Sequence, residues 1–290
     1  MPDPTPPLRV LCAGNASALT GTGTNTYLIG RGEVAVVDPG PDLASHLAAI
    51  LAATAGERIS RILVTHAHLD HSALAPRLAA LTGAPVLAFG RADSGRSTTM
   101  TELARQGLTS SEGADQAFAP DQTLADGDRV MVGDSVVEAL HLPGHMGCHL
   151  GFALGDGLLL SGDHVMGWST SLVSPPDGDM AAYMSSLHRL TTRTWSRMYP
   201  GHGPEIADPG RRLAELITHR LSREAAILAA LRDHGPASPA AIAAQVYRDV
   251  APHLLPAATR NVLAHLIDLT DRALVHSTGQ PLDRAIYTAR

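Results

Sequence analysis

Apolar and polar positions in the first part of the chain fall into two alternating patterns. Short apolar runs that end near Gly or Pro are typical of buried strands, and longer amphipathic stretches are typical of helices. The predicted strands are Tyr27–Ile29, Val34–Asp38, Ile62–Thr65 and Pro85–Ala88, and the predicted helices are Leu43–Ala55 and Leu74–Thr82. This alternation predicts a sheet-based core with helices packed outside it.

The middle of the chain is rich in Gly and Asp, which favour tight turns between strands. Between residues 121 and 140 this composition predicts hairpins, as at Asp126-Gly127-Asp128 before Val130–Val132. One more apolar strand, Leu158–Leu160, runs into Ser161-Gly162-Asp163.

Helical patterns dominate after Pro200-Gly201-His202-Gly203. Three helices are predicted, at His219–Leu231, from the Ser238 cap to Tyr247 and at about Pro256–Asp271, followed by short strands at Leu274–His276 and Ala285–Tyr287. Three helices and a two-stranded wing predict a small winged-helix-like domain. We therefore expect a large domain over residues 8–212 and the winged-helix-like domain over residues 213–290.

The charge balance differs between the two parts of the chain. Residues 1–188 hold 9 Arg and 19 acidic residues, a net charge of −10, whereas residues 189–290 hold 13 Arg and 9 acidic residues, a net charge of +4. All 22 basic residues are arginine. The basic C-terminal part is suited to an anionic partner, although a normally charged surface explains the same count.

The sequence favours a cytoplasmic protein. The start, MPDPTPPLRV, has neither the basic nor the apolar region of a signal peptide. No stretch approaches the roughly 18 consecutive apolar residues of a transmembrane helix, so no membrane partner is expected. Two cysteines, Cys12 and Cys148, are too few for a disulfide framework, which fits a reducing compartment.

A cluster of histidines directly follows the predicted strand Ile62–Thr65. The segment HAHLDH holds three histidines and one aspartate within six residues, His66, His68, Asp70 and His71. Neutral imidazole and carboxylate oxygen are common ligands of zinc. In an extended run His66 and His68 point the same way, and the following turn lets Asp70 and His71 face a neighbouring point. One loop is therefore predicted to serve two adjacent metal ions; the alternative is a solvated His-rich loop.

Three further candidate ligands follow later apolar runs and adjoin Gly or Pro, which allows the backbone to turn tightly. They are His145 in Pro143-Gly144-His145, Asp163 in Ser161-Gly162-Asp163 and His202 in Gly201-His202-Gly203. Each of them alone is more typical of a structural residue. Together with the histidine cluster they indicate one metal centre.

These motifs, His-x-His-x-Asp-His, Pro-Gly-His, Ser-Gly-Asp and Gly-His, resemble in their order the ligand set of the metallo-β-lactamase superfamily. The resemblance covers about residues 8–208 and implies an α/β (α+β) fold, an αββα sandwich with the site at one edge. It implies one metal ion on His66, His68 and His145, a second on Asp70, His71 and His202, and Asp163 as the bridge between them. It also implies that Asp38 supports the histidine loop and that His149 is structural.

The resemblance further implies two zinc ions per chain, with iron or manganese as alternatives. Diiron redox relatives usually carry Glu at the position of His68, which argues against that branch. A hydroxide that bridges the metals is expected to attack the substrate, with Asp70, His71 and Asp163 as the catalytic residues. Cys148 is not expected to act as a nucleophile. Trp168, Met166 and Tyr183 are expected to line the substrate cleft, with core packing as the alternative.

A closer resemblance spans nearly the whole chain. The segments TNTYLIG (24–30), DHVMGW (163–168) and SPPDGDM (174–180), with the winged-helix tail, resemble the lactamase-beta-like protein 2 group. Members of this wider group include a single-strand endoribonuclease and acyl-carrier-protein thioesterases.

Three functions remain open on this basis. The favoured one is hydrolysis of a small ester or thioester substrate. The alternative is cleavage of single-stranded RNA, with the basic C-terminal domain contacting phosphates. A third, non-enzymatic alternative is nucleic-acid or partner binding through the winged helix. The winged-helix domain is equally suited to forming a wall of the cleft or to mediating a homodimer.

Overall fold

The first of two large sheets has six strands, and their order in the sheet follows the chain. The computed structural model describes residues 6–109, 113–155, 157–280 and 282–290. The strands are β1 (Leu8–Cys12), β2 (Asn25–Arg31), β3 (Glu33–Val37), β4 (Arg58–Leu63), β5 (Val86–Ala88) and β6 (Gln122–Thr123). Strands β1 to β3 pair antiparallel and β3 to β6 pair in parallel, so the residues after β3 and β4 reach the same edge.

The second sheet has five strands in the order β11-β10-β9-β8-β7. They are β7 (Arg129–Val132), β8 (Ser135–His141), β9 (Leu150–Leu154), β10 (Leu158–Gly162) and β11 (Arg197–Pro200). Strands β7 to β10 form antiparallel hairpins, as predicted for β7 and β8, while β10 and β11 are parallel.

Side chains of β2 show how the sheets share their cores. Tyr27 and Ile29 pack with Phe152 between the two sheets. The intervening Leu28 packs with Ile50 against the outer helices. Alternate side chains of a strand point to opposite faces, so one strand contributes to both layers.

Helices cover the outer faces of both sheets, which gives the predicted αββα sandwich. The first-domain helices are α1 (Ala44–Ala53), α2 (Leu69–Ser72), α3 (Ala75–Thr82), α4 (Thr98–Arg105) and α5 (Met180–Thr191). Helices α1 and α3 pack on the first sheet and α5 packs on the second. Among the described residues, no helix combines the length and apolarity needed to cross a membrane.

The C-terminal part forms the predicted winged-helix arrangement. It consists of α6 (Pro209–His234), α7 (Pro239–Val246), a 3-10 helix (Pro252–Leu254), α8 (Leu255–Asp271), β12 (Val275–Thr278) and β13 (Ile286–Ala289). Strands β12 and β13 pair antiparallel as the wing. Ser238 caps α7 by accepting a hydrogen bond from the backbone N–H of Ala241, as its position predicts.

Helix α6 begins at Pro209, well before the predicted start at His219. The Asp208 side chain caps its first turn, and Pro209 fits there because the first helical N–H groups have no helical partner. Leu216 packs under the second sheet, whereas Ile227 belongs to the C-terminal core. The predicted division between residues 212 and 213 therefore falls inside a continuous helix, and the domain limits stay a prediction.

Candidate metal centre

Residues at the ends of several strands meet at one edge of the two sheets. Strand β3 leads to Asp38, β4 to residues 65–71, β10 to Asp163 and β11 to His202, while His145 lies between β8 and β9. All seven predicted ligands lie together here. Their ligand atoms form three overlapping groups: His66, His68 and His145; His66, His71 and Asp163; and Asp70, His71 and His202.

The first group is a cluster of three ring nitrogens. His68 Nδ1 lies 2.9 Å from His66 Nε2 and 3.0 Å from His145 Nε2. A single shared proton can bridge only one of these pairs, whereas a metal ion accepts a lone pair from every nitrogen. The spacing therefore fits a bound cation.

Asp163 lies between the first group and the second. Its Oδ2 is 3.7 Å from His145 Nε2 and 3.3 Å from His202 Nε2, while His202 Nε2 is also 3.3 Å from Asp70 Oδ2. Its Oδ1 is buried and has no hydrogen-bond partner among the described residues. Burial of a carboxylate oxygen without a hydrogen bond is costly unless a cation is bound. Asp163 therefore fits the position of a bridging ligand.

Four of the imidazole rings are held from behind by a contact at Nδ1. These contacts join His66 to Thr65 Oγ1 at 2.9 Å, His71 to Asp38 Oδ2 at 2.9 Å, His145 to the Leu172 carbonyl at 2.7 Å and His202 to the Gly23 carbonyl at 3.2 Å. Outer contacts of this kind fix the tautomer and orientation of metal-binding histidines. The arrangement directs each Nε2 into the centre.

Asp38 supports the histidine loop, as the resemblance implies. Its carboxylate accepts hydrogen bonds from the Thr65 N–H at 2.7 Å and the Thr65 hydroxyl at 2.8 Å, and also contacts His71. Its φ of 49° is in the left-handed region, which non-glycine residues rarely adopt. Local strain of this kind persists where surrounding contacts enforce it.

The two groups differ in the charge that they favour. Burial lowers the pKa of His66, His68 and His145, to about 3 for His68. Burial also opposes a charge on His71 and His202, but the nearby carboxylates of Asp163 and Asp70, together with Asp38 at His71, outweigh it and raise the pKa of both, to about 10 for His202. The first group thus offers neutral imidazoles, and the carboxylates around the second attract positive charge.

Two glycines allow the chain to pass close to the centre. A Cβ atom on Gly201 would overlap Asp163 Oδ1 and lie 2.7 Å from His71 Cε1. Gly144 has a φ of 144°, and a Cβ there would overlap the backbone of Tyr183. The Gly that precedes His145 and the Gly that precedes His202 are therefore required by the packing.

A cavity of about 420 Å³ opens onto the centre and is partly lined by His68, Asp70, His145, Asp163 and His202. The C-terminal domain contributes a mainly apolar wall, made of Tyr247, Val250, Leu254, Ala257 and Ala258, with Asn261 beside it. No arginine is among the lining residues in the described ranges. These wall residues carry no motif, so the sequence gives no signal for them.

Of the three residues expected to line the substrate cleft, one lies at this cavity and two do not. Met166 lines the cavity, but Tyr183 and Trp168 do not. Tyr183 is fully buried and donates its hydroxyl to the His164 carbonyl, and Trp168 packs on Gly203. The local sequence does not reveal which face of the loop or helix each ring occupies.

Two neighbours of His145 have structural positions. Burial raises the pKa of the Cys148 thiol to about 11, which disfavours the thiolate that a nucleophile needs. His149 Nε2 accepts a hydrogen bond from the Asp163 backbone N–H at 3.2 Å. His149 therefore supports the end of β10, in line with the structural role that was expected.

Comparison with known proteins gives relatives over nearly the full chain. The "Beta-lactamase-like protein 2 homolog" of Drosophila melanogaster is 32% identical over 267 residues, 88% of this chain and 85% of that protein. The "Atrochrysone carboxyl ACP thioesterase" of Aspergillus chevalieri is 31% identical, over 78% of this chain and 66% of that longer protein. The crystal structure of a metallo-beta-lactamase family protein from Thermus thermophilus has a TM-score of 0.78 and 25% identity, covering 98% of both chains.

Two family models match consecutive parts of the chain. The metallo-beta-lactamase superfamily model matches residues 19–202, and the beta-lactamase associated winged helix domain model matches residues 238–284. The first matched region contains the strand-end residues, and the second runs from the Ser238 cap of α7 through β12, the first strand of the wing. The chain is therefore a hydrolase of the metallo-β-lactamase superfamily, with the winged-helix domain that is associated with this family.

Proposed function

We propose that this protein is a dinuclear metal-dependent hydrolase of acyl esters or thioesters. The observation that carries this proposal is the cavity above the paired His and Asp groups, which has an apolar wall and no arginine among its described lining residues. Such a wall suits an acyl group, whereas a phosphodiester backbone needs basic side chains along its path. The similarity to a protein named as an acyl-carrier-protein thioesterase supports the same class.

The donor set fits two divalent metals, and we take zinc as the first metal to test. His66, His68 and His145 would hold one ion, Asp70, His71 and His202 the other, and Asp163 both. When bound, the metals supply an activated water at neutral pH and neutralise negative charge that develops on the substrate.

The chain's own residues then have separate tasks. Asp163 is almost fully buried, so its carboxylate is fixed between the two groups. The side chain of Asp70 is 28% exposed and lines the cavity, where it is suited to orient the attacking water. His71, held through Nδ1 by Asp38, keeps Nε2 in the second group. Addition of water to the carbonyl forms a C–O bond, and loss of the alcohol or thiol breaks the old bond and leaves a carboxylic acid.

The arginines of the C-terminal domain give little support to the RNA alternative. Arg212 and Arg220 donate to backbone carbonyls of residues 166–171, and Arg223 donates to the Val246 carbonyl. Arg211 and Arg272 form ion pairs with neighbouring acidic residues. The guanidinium groups of these five arginines are therefore engaged in contacts within the protein. Cytoplasmic location and homodimer formation stay predictions from the sequence.

A paired assay tests this proposal. Protein of known metal content is assayed on a panel of acyl thioesters and, separately, on single-stranded RNA. The Asp70→Ala variant is assayed on both in parallel. We expect thioester hydrolysis that falls about 100-fold or more in the variant, because a proposed metal ligand that also orients the attacking water is lost. Asp42→Ala is the matched control, because Asp42 pairs with Arg77 at the surface. RNA cleavage that depends on Asp70, without thioester turnover, would overturn the acyl assignment.

A further inference from the structure

One irregular stretch of chain, the cavity segment (residues 166–175), connects the candidate metal centre to the C-terminal domain. Met166, Ser169, Thr170 and Leu172 of this segment line the cavity. The carbonyl of Leu172 accepts the 2.7 Å hydrogen bond from His145 Nδ1. The position of this carbonyl therefore fixes the direction in which His145 Nε2 points.

Four polar side chains of α6 and α8 hold the cavity segment along its length. The contacts are Arg212 to the carbonyls of Met166 at 2.7 Å and Ser169 at 2.6 Å, Arg220 to the Ser171 carbonyl, the Val173 N–H to Asn261 Oδ1 at 3.0 Å, and Arg260 to the Ser174 hydroxyl at 2.8 Å and the Pro175 carbonyl. The segment has no helical or strand hydrogen bonds of its own, so these side chains satisfy its backbone instead.

Arg220 and Asn261 flank the carbonyl that orients His145. Arg220 holds Ser171 and Asn261 holds Val173, the residues immediately before and after Leu172. Arg220 also donates to Asn261 Oδ1 at 3.3 Å, so the two side chains form one unit. The amide of Asn261 has a defined orientation, because both of its neighbours are donors and require the oxygen.

Arg220 occupies a costly position for a charged group. It is 1% exposed, its guanidinium lies over the Tyr183 ring at 4.9 Å, and its Nε has no hydrogen-bond partner in the described ranges. No carboxylate in the described ranges forms an ion pair with it. Burial of an unpaired cation is unfavourable. The hydrogen bond from Arg220 to the cavity segment therefore has to offset the free-energy cost of burying its charge.

We infer that Arg220 and Asn261 are positioning residues, through which the C-terminal domain fixes the orientation of His145 in the metal centre. This inference rests on the metal-ligand role proposed for His145. Their contacts fix the position of the Leu172 carbonyl, and the hydrogen bond to this carbonyl fixes the orientation of the His145 ring. In that orientation Nε2 lies beside His66 and His68. Loss of the contacts that Arg220 and Asn261 make with the cavity segment would therefore weaken metal binding in the first domain.

The test uses the full-length protein and zinc itself as the probe. Asn261→Ala removes the acceptor for Val173 and Arg220, and we expect zinc affinity, measured by competition with a chromophoric chelator, to fall about tenfold. Asn261→Asp keeps an oxygen at this position and should restore affinity close to that of the wild type. Thr259→Ala is the matched control on α8, because within the described part of the chain the Thr259 hydroxyl donates to the Leu255 carbonyl of its own helix and forms no hydrogen bond with the cavity segment.

A second measurement separates orientation from general loosening. The visible spectrum of the cobalt-substituted protein reports ligand geometry, and we expect it to change in Asn261→Ala but not in Thr259→Ala. In the acyl assay kcat should fall more than KM rises. Wild-type zinc affinity and cobalt spectrum in a folded Asn261→Ala variant would overturn this inference and leave the proposed function intact. A wild-type protein that binds no metal would instead overturn the proposed function.

Discussion

At the scale of single residues, the partners of the ring nitrogens separate two kinds of buried histidine. His145 has a hydrogen bond at Nδ1 and directs Nε2 at other candidate ligands. His164 and His265 are equally buried, but neither ring nitrogen of either residue has a hydrogen-bond partner among the described residues. Burial lowers the pKa of both to about 3, so both rings are neutral. The motifs identify His145 from the sequence, whereas His265 lies on an ordinary amphipathic helix.

His265 should make the protein less stable in mild acid. The pKa of His265 is about 3 in the folded protein, below its usual value in an unfolded chain. As the pH falls, His265 therefore binds a proton in the unfolded state before it does so in the folded state. Above about pH 6.5 the neutral His265 ring costs the folded state nothing. As the pH falls below that value, the proton bound in the unfolded state progressively lowers the free energy of unfolding. We expect His265→Leu to raise the free energy of unfolding by about 1 kcal/mol more at pH 5.5 than at pH 7.5. Urea unfolding at both values measures this difference; an equal gain at both would exclude His265 as an acid-sensitive group.

At the scale of helices and strands, local patterns predict most of the strands that lead to the site, but they miss β11 and two of the supporting helices. The strand that feeds His66 and the turn at Gly201 have clear apolar runs and Gly or Pro signals. Helices α4 and α5 are absent from the predicted elements. α4 has the Thr-rich sequence TTMTELAR, which favours helix weakly, and it is stabilised by Met100 and Leu103 packing in the C-terminal core. α5 follows Pro-Pro-Asp-Gly-Asp, which is typical of a turn.

The start of α5 depends on one aspartate that joins two helix caps. Asp179 accepts hydrogen bonds from the Ala182 N–H at 3.2 Å and the Ser97 hydroxyl at 2.7 Å, and Ser97 itself caps α4. We expect Asp179→Ala to lower the free energy of unfolding by about 2 kcal/mol, because one change weakens both caps. Asp179→Asn keeps an acceptor and should cost less.

Ser238→Ala is the comparison for that measurement, since Ser238 caps only α7. Its removal should cost about 1 kcal/mol. An Asp179→Ala cost no larger than that of Ser238→Ala, in the same urea titration, would show that the link between the caps adds no stability.

At the scale of the whole molecule, the cavity is a joint product of the two parts of the chain. The sequence motifs lead to the metal-binding edge, because those residues are close to one another in short segments. The cavity wall and the Arg220–Asn261 contact arise only when α6 and α8 pack on the second sheet, so no spacing along the chain predicts them. The continuous helix α6 joins the two cores and thereby fixes this packing.

Metal removal should consequently weaken the whole fold as well as the activity. The candidate ligands come from both sheets, with His66 after β4 and Asp163 after β10, so a bound metal would cross-link the two layers of the sandwich. With zinc at about 1,000 times its Kd, binding to the folded state alone adds about 4 kcal/mol to the free energy of unfolding. We expect a chelator to lower the melting temperature and abolish hydrolysis, and excess zinc to restore both. An unchanged melting temperature in chelator-treated protein shown to be metal-free would mean that the His and Asp cluster is stable without a cation, contrary to what the close ring nitrogens and the absence of a hydrogen bond to Asp163 Oδ1 among the described residues indicate.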